Sequence, residues 1–299
     1  MNHFYYALLL RDPLSPDNAE VVNTMNIFTD ARLEIVPNNE NLTSAIKKYT
    51  NDYYCKAILV VGKALSAKKI AQLLDLLQIS YEPQPLSEKF SPGAEISCWR
   101  LAHTTHLLLA SPKYSDLLAA KKILDLYAQF ISADRLMALS RRLGALCRDK
   151  GWTLATAESC TGGGISAALT AASGASNYFK GSVCAYSAAI KEAVLGVPAD
   201  IIERHGVVST ETAEAMALGA QRLFTTTIAL STTGVAGPGP DDDGNPEGLV
   251  CTCVRFAEKT QTFIFEAGAY SPLLDRDAIR QGCTIFLLEK SLDWLIALN

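Results

Sequence analysis

Three short apolar runs constrain this chain more than any other feature, because each stops abruptly at small or polar residues. Residues 57–61 (AILVV) end at Gly62, residues 153–156 lead into AESCTGGG, and residues 227–232 (TIALST) run into Gly234. Runs of four to six residues are too short for buried helices. The most apolar of them lacks the alternation of a strand with one wet face, so it reads as a parallel strand covered on both sides. Strands of that kind need helices packed on the sheet, which points to an α/β fold.

The segments between the runs supply those helices. In the first half, residues 3–10 and 32–36 read as strands, and residues 42–49 read as a helix. Residues 66–79 repeat Ile70, Leu73, Leu74 and Leu77 at helical spacing, residues 106–110 form another strand, and a helix starts near Ser115. Pro83, Pro85 and Pro92 mark a long loop between them. In the second half, a helix over 134–150 carries Leu136, Leu139, Leu143 and Leu146 and stops at Gly151. Residues 182–187 (SVCAYS) read as a strand, and Ser209 caps a helix over 210–224. Residues 249–256 and 261–267 read as a hairpin, followed by a last helix over about 275–295. A chain of 299 residues exceeds one core at ~100–200 residues per domain. Two domains are expected, a small α/β domain over 1–132 and a second over 133–299.

The net charge of −4 gives no general attraction to nucleic acid or to an anionic membrane surface. No apolar run approaches the ~18 residues of a membrane span. Several of the eight cysteines sit in or beside apolar runs such as LVCTCV, which points to reduced cytoplasmic thiols. Cys251 and Cys253 share one face of a strand and read as core, since a zinc site needs two further ligands. His103 and His106 likewise lack the partners that would complete a metal site. No metal and no cofactor are expected.

Three segments place chemistry at the carboxyl ends of strands, the edge where open α/β sheets bind ligands. The first is Glu158-Ser159-Cys160-Thr161-Gly162-Gly163-Gly164. Its glycines suit a tight turn, and equally a set of backbone N–H groups facing an anion or an oxyanion. No Lys-Ser/Thr follows, so it is not a Walker loop. The second is Tyr186-Ser187-Ala188-Ala189-Ile190-Lys191. A serine nucleophile needs a base, and no Ser-His-Asp set is visible, with His205 the only histidine in this half. Lys191 therefore reads either as that base, with its pKa lowered by burial, or as an ordinary surface lysine. The third is the loop from Thr232 to Gly239, followed by Asp241, Asp242 and Asp243, which suits a phosphate or ribose at its glycines and repels phosphate at its aspartates.

In order along the chain, TAESCTGG, YS-x-x-x-K, G-V-A-G-P and DR-x-x-x-R make residues from about 134 to 294 resemble the CinA C-terminal family. That family includes nicotinamide-nucleotide amidase, which hydrolyses nicotinamide mononucleotide to nicotinate mononucleotide and ammonia. The resemblance implies a three-layer α/β/α sandwich with a mixed sheet, a small-molecule nucleotide substrate and a homo-oligomer. Residue by residue, it implies Ser159 as nucleophile, Lys191 as base and Tyr186 as the member that orients the pair. It also implies backbone contacts to substrate at Cys160, Thr161, Gly162 and Gly163, and at Gly234, Ala236 and Gly237. Arg276 and Arg280 match the late arginines and are expected to meet phosphate, since a guanidinium fork suits it.

The chain departs from the family pattern at several points. Ala188 stands where the family usually has Asn. Asn245-Pro246-Glu247-Gly248-Leu249 stands for Lys-Pro-x-Gly-Thr, and Leu274 replaces a Gly. These departures admit a second reading, a non-catalytic relative that binds a nucleotide or a protein. The first half resembles a shortened molybdopterin-binding-like domain of full-length CinA proteins. Residues 108–118 (LLASPKYSDLL) are similar to its LPG-x-P-x-E-M segment, while its GGLGPT-like loop is missing after Val61.

Overall fold

The computed structural model describes residues 5–10, 31–35, 39–50, 55–61, 65–79, 81–84, 94–101, 107–111, 116, 119–124, 132–270 and 275–298. They fall into two compact units, one within Met1–Tyr127 and one within Ala128–Tyr270 and Leu274–Asn299. Each is a helix-and-strand unit with its own sheet, as an α/β chain requires.

In the first unit, β1 (Tyr5–Leu10), β2 (Ala31–Ile35), β3 (Cys55–Val61), β4 (Tyr81–Gln84), β5 (Ser97–Leu101) and β6 (Leu107–Ser111) lie in the order β2-β1-β3-β6-β5-β4. The first four of that order are parallel and the last two strands join antiparallel. Helix α1 (Asn39–Thr50) buries Leu42, Ala45, Ile46 and Tyr49, spaced three and four apart, and α2 (Ala67–Leu76) buries Ile70, Leu73 and Leu74. Both helix faces meet Leu9, Ile58, Val60, Trp99 and Leu108 of the sheet. The expected long proline loop is partly a strand. Pro83 sits in β4 at the sheet edge, the one place where a missing N–H costs no ladder bond. The strand β5 carries only a weak pattern in sequence. His103, His106 and residues 85–93 lie outside the described residues.

The second unit contains α3 (Ala133–Lys150), β7 (Leu154–Glu158), α4 (Gly164–Thr170), β8 (Phe179–Cys184), α5 (Ala188–Leu195), α6 (Ala199–His205), α7 (Thr210–Phe224), β9 (Ile228–Gly234), β10 (Leu249–Phe256), β11 (Lys259–Glu266) and α8 (Arg276–Ala297). Its sheet runs β11-β10-β9-β7-β8, with β8, β7 and β9 parallel, β10 antiparallel to β9, and β11 antiparallel to β10. Period-two alternation sends residues to opposite layers. Leu154, Ile228, Leu230 and Val254 pack under α3, α4 and α8, whereas Ala157, Ala229, Cys251 and Cys253 pack under α5 and α7. The result is the expected three-layer sandwich with a mixed sheet. Capping follows the sequence closely: Ser132, Ser187, Ser209 and Asp275 each accept from the backbone N–H three residues on. The strand expected over 182–187 lies earlier, at Phe179–Cys184, because the Ser187 hydroxyl is used to start α5.

Candidate functional site

The connection from β7 to β8 runs through α4 on one face, and that from β8 to β9 runs through α5, α6 and α7 on the other. The chain therefore leaves β7 in one direction and returns on its far side in the other. Such a reversal opens a crevice at the carboxyl ends of the strands. Ser159 stands at that point, immediately after β7, with its N–H donating to Thr232 O of β9 at 3.0 Å.

Lys191 reaches Ser159 from α5. Its Nζ lies 3.0 Å from Ser159 Oγ and 2.9 Å from Ala185 O, and the side chain is fully buried. Lys191 and Leu195, four apart, form the inward face of α5, so the helix period aims the lysine at the sheet. Burial disfavours the ammonium and pushes its pKa below the ordinary value, with the Cys160 and Cys184 thiols opposing that shift. A neutral amine would donate one N–H to Ala185 O and turn its lone pair to the Ser159 hydroxyl.

Ser159 also opens a tight turn. Gly162 N donates back to Ser159 O at 2.9 Å, and Gly162 takes φ +60°, which glycine adopts without penalty. Arg280 of α8 donates from Nε to Cys160 O at 3.2 Å and from Nη2 to Thr161 O at 3.0 Å, while Nη1 meets Asp277 at 3.3 Å. The Cys160 N–H has no acceptor among the described residues. Beneath the turn, the fully buried Glu158 carboxylate accepts from Ile165 N, Ser166 N and the Thr161 hydroxyl at 2.8–3.0 Å, and from Thr156 at 3.1 Å. It caps the first turn of α4, a favourable place for a negative charge. The Cys283 thiol donates a hydrogen bond to the Cys160 sulfur, which lowers the pKa of Cys160 and raises that of Cys283. Cys251 and Cys253 are pushed up to about 11 and about 12, chiefly by burial, as neutral core thiols should be.

A cavity of about 280 Å³ opens onto Ser159 and Cys160. Its far wall is the loop after β9, including Gly234, Ala236, Gly237 and Asp241, and Tyr186 and Arg276 complete it. Arg276 bridges the wall, donating to Tyr186 Oη at 2.8 Å and to Gly237 O. The structure thus joins Ser159 to Lys191 and bonds Tyr186 to Arg276 rather than to that pair. Gly234 is required by packing, since a Cβ there would fall 2.5 Å from Leu249 O. At Gly237, φ is +80° and a Cβ would meet the Glu247 side chain at 2.3 Å. Neither Arg280 nor Lys191 lines the cavity.

Residues 136–295 match the family described as CinA C-terminal domain, more than half of the chain. The chain belongs to the CinA C-terminal domain family. Among curated relatives, a CinA-like protein of Parasynechococcus marenigrum is 51% identical over 146 residues, covering 49% of this chain and 34% of its own. A CinA-like protein of Picosynechococcus is 36% identical over 220 residues, covering 74% of this chain and 50% of its own. The chain thus spans a third to a half of these relatives. The competence damage-inducible protein A (ComA) of Klebsiella pneumoniae aligns with TM-score 0.51 and 30% identity, over 54% of this chain and 97% of that one. The competence/damage inducible protein CihA of Agrobacterium tumefaciens gives TM-score 0.50 and 32% identity, over 55% and 96%.

Within the CinA motif, sequence reasoning left three residues without a role. Glu158 caps α4, Thr232 holds the Ser159 N–H, and Ala185 supplies the carbonyl that orients Lys191. Only Glu158 left a signal, a carboxylate ending an apolar strand a few residues before a helix start. The departures after the glycine loop are internally satisfied. Asp241 accepts from Asp243 N, Asn245 N and Asn245 Nδ2, and Glu247 accepts from Gly239 N at 2.8 Å. Among the described residues, no group of carboxylates, thiols or imidazoles could hold a metal, and no helix is long and apolar enough to cross a membrane.

Proposed function

We propose that this site hydrolyses the carboxamide of nicotinamide mononucleotide to nicotinate mononucleotide and ammonia, a cytoplasmic step of pyridine-nucleotide salvage. The observation that carries the reading is the buried Lys191 Nζ, 3.0 Å from Ser159 Oγ, with its pKa lowered by burial. A serine hydroxyl attacks an amide only when a base takes its proton, and a buried amine whose pKa is lowered from the ordinary value suits that role better than a solvated lysine.

Ser159 Oγ attacks the carboxamide carbon as Lys191 takes the hydroxyl proton. The Cys160 N–H faces the negative oxygen of the tetrahedral intermediate. Lys191 returns the proton to the departing nitrogen, the C–N bond breaks, and ammonia leaves. Water, deprotonated by Lys191, then cleaves the Ser159 ester and regenerates the hydroxyl. Arg276, on the cavity wall, meets the phosphate, and Tyr186 holds that guanidinium in place. The domain acts as a homo-oligomer, for which the exposed Tyr186, Ile190 and Val194 offer an apolar stripe.

Ammonia release from nicotinamide mononucleotide by the purified chain tests the reading. Turnover that Ser159→Ala abolishes supports it. Nucleotide binding without turnover by well-folded wild type would replace it with the non-catalytic reading.

A further inference from the structure

We infer that Arg280 is a positioning residue that, through the turn behind Ser159, sets the oxyanion-binding amide of Cys160, and that it does not bind substrate phosphate. The inference rests on the amidase reading of this site and adds how its oxyanion donor is held.

The turn from Ser159 to Gly162 contains three peptide planes, and each is fixed through its carbonyl. Gly162 N holds Ser159 O, Arg280 Nε holds Cys160 O, and Arg280 Nη2 holds Thr161 O. In a trans peptide the C=O and N–H point opposite ways. Holding Thr161 O aims the Gly162 N–H at Ser159 O, and Ser159 O, held in turn, aims the Cys160 N–H away from the turn, while the Thr161 N–H is taken by the Cys160 thiol. A cation bonded at the carbonyl end also polarises the peptide and strengthens its N–H as a donor.

Three of the five guanidinium N–H groups are engaged, two on the turn carbonyls and one on Asp277, and the residue does not line the cavity that opens onto Ser159. Arg276 does line it. The contact is also close-fitted: a Cβ at Gly162 would lie 3.1 Å from Arg280 Nη2, and one at Gly164 would lie 3.3 Å from Thr284 Oγ1 on the next turn of α8. The glycines of the motif thus let helix α8 approach the turn. A lysine cannot replace Arg280, because one ammonium cannot serve two carbonyls in a fixed fork.

The test compares wild type, Arg280→Ala and Arg280→Lys, with folding checked by thermal unfolding. Loss of a whole oxyanion donor costs about 10²–10³ in kcat, and loss of its orientation should cost less, about 10- to 100-fold. The expected result is a fall of that size in kcat for both variants, with KM for nicotinamide mononucleotide within about twofold of wild type. The same fall is expected with the phosphate-free nicotinamide riboside, and millimolar guanidinium should restore part of the Arg280→Ala rate. A rise in KM for the nucleotide alone, with kcat kept, would show a phosphate partner and overturn the inference, as would full rescue by Arg280→Lys. Ser159 labelling by a fluorophosphonate, whose phosphoryl oxygen takes the oxyanion's place, gives a readout independent of the amide. Slower labelling of Arg280→Ala than of wild type supports the inference even if the nucleotide is not turned over, an outcome that sinks only the substrate assignment. Equal labelling rates overturn the inference, and a wild type inert to the fluorophosphonate overturns the nucleophile assignment and the inference together.

Discussion

Replacing Lys191 with methionine removes the base while keeping most of the side chain's volume, which truncation to alanine would not. The amine has two partners, Ser159 Oγ and Ala185 O, and among the described residues that line the cavity none is a histidine that could substitute for it. Loss of a general base costs about 10²–10⁴ in rate. At about 1.4 kcal/mol per tenfold, this corresponds to about 3–5.5 kcal/mol in the barrier. The loss should fall on kcat with KM little changed, since Lys191 does not line the cavity. Stability is pulled both ways. Ala185 O loses its donor, at about 1–3 kcal/mol, while a fully buried polar head no longer needs desolvation. The unfolding midpoint should therefore stay near that of wild type. Initial rates of ammonia release and a thermal melt check both halves. A folded Lys191→Met protein that keeps more than about a tenth of wild-type kcat would refute the role of base.

Other outcomes follow from the same geometry. Because burial lowers the Lys191 pKa, the folded chain holds fewer protons than the unfolded one between that pKa and the ordinary 10.5. Lys191 therefore makes stability rise with pH across that window, and urea midpoints of Lys191→Met should show a shallower rise than wild type. Glu158→Gln puts an amide NH₂ where the Ile165, Ser166 and Thr161 donors converge, and should cost about 1–3 kcal/mol in urea unfolding and lower kcat. Gly237→Ala combines φ +80° with a Cβ against Glu247, so it should cost at least about 1–3 kcal/mol and raise KM, visible in a melt and a saturation curve.

Much of the second unit was legible because its signals are local. Ser209 before an amphipathic run, Gly151 after one, and Ala257-Glu258-Lys259 between two strands each fix an element end by short-range chemistry. The strand over Phe179–Cys184 was misplaced because Ser187 reads equally well as a strand residue or a helix cap until the helix behind it is seen. The site was half legible. Ser159 and Lys191 could be named from type and order, but the burial of Lys191 depends on which face of α5 meets the sheet, a tertiary fact. Arg280 shows the same limit. Its fork suits phosphate in sequence, and only the approach of α8 to the turn assigns it to two carbonyls. In the first unit, β4 was hidden because an edge strand tolerates Pro83 and needs little pattern.

The central claim is that Ser159, activated by Lys191, is acylated in turnover. Intact-protein mass spectrometry after rapid acid quench with nicotinamide mononucleotide tests it most directly. The account predicts an adduct equal to the nucleotide less ammonia, on the peptide containing Ser159, absent in Ser159→Ala and strongly reduced in Lys191→Met. Ammonia release by Ser159→Ala at the wild-type rate, with no adduct in either protein, would contradict it.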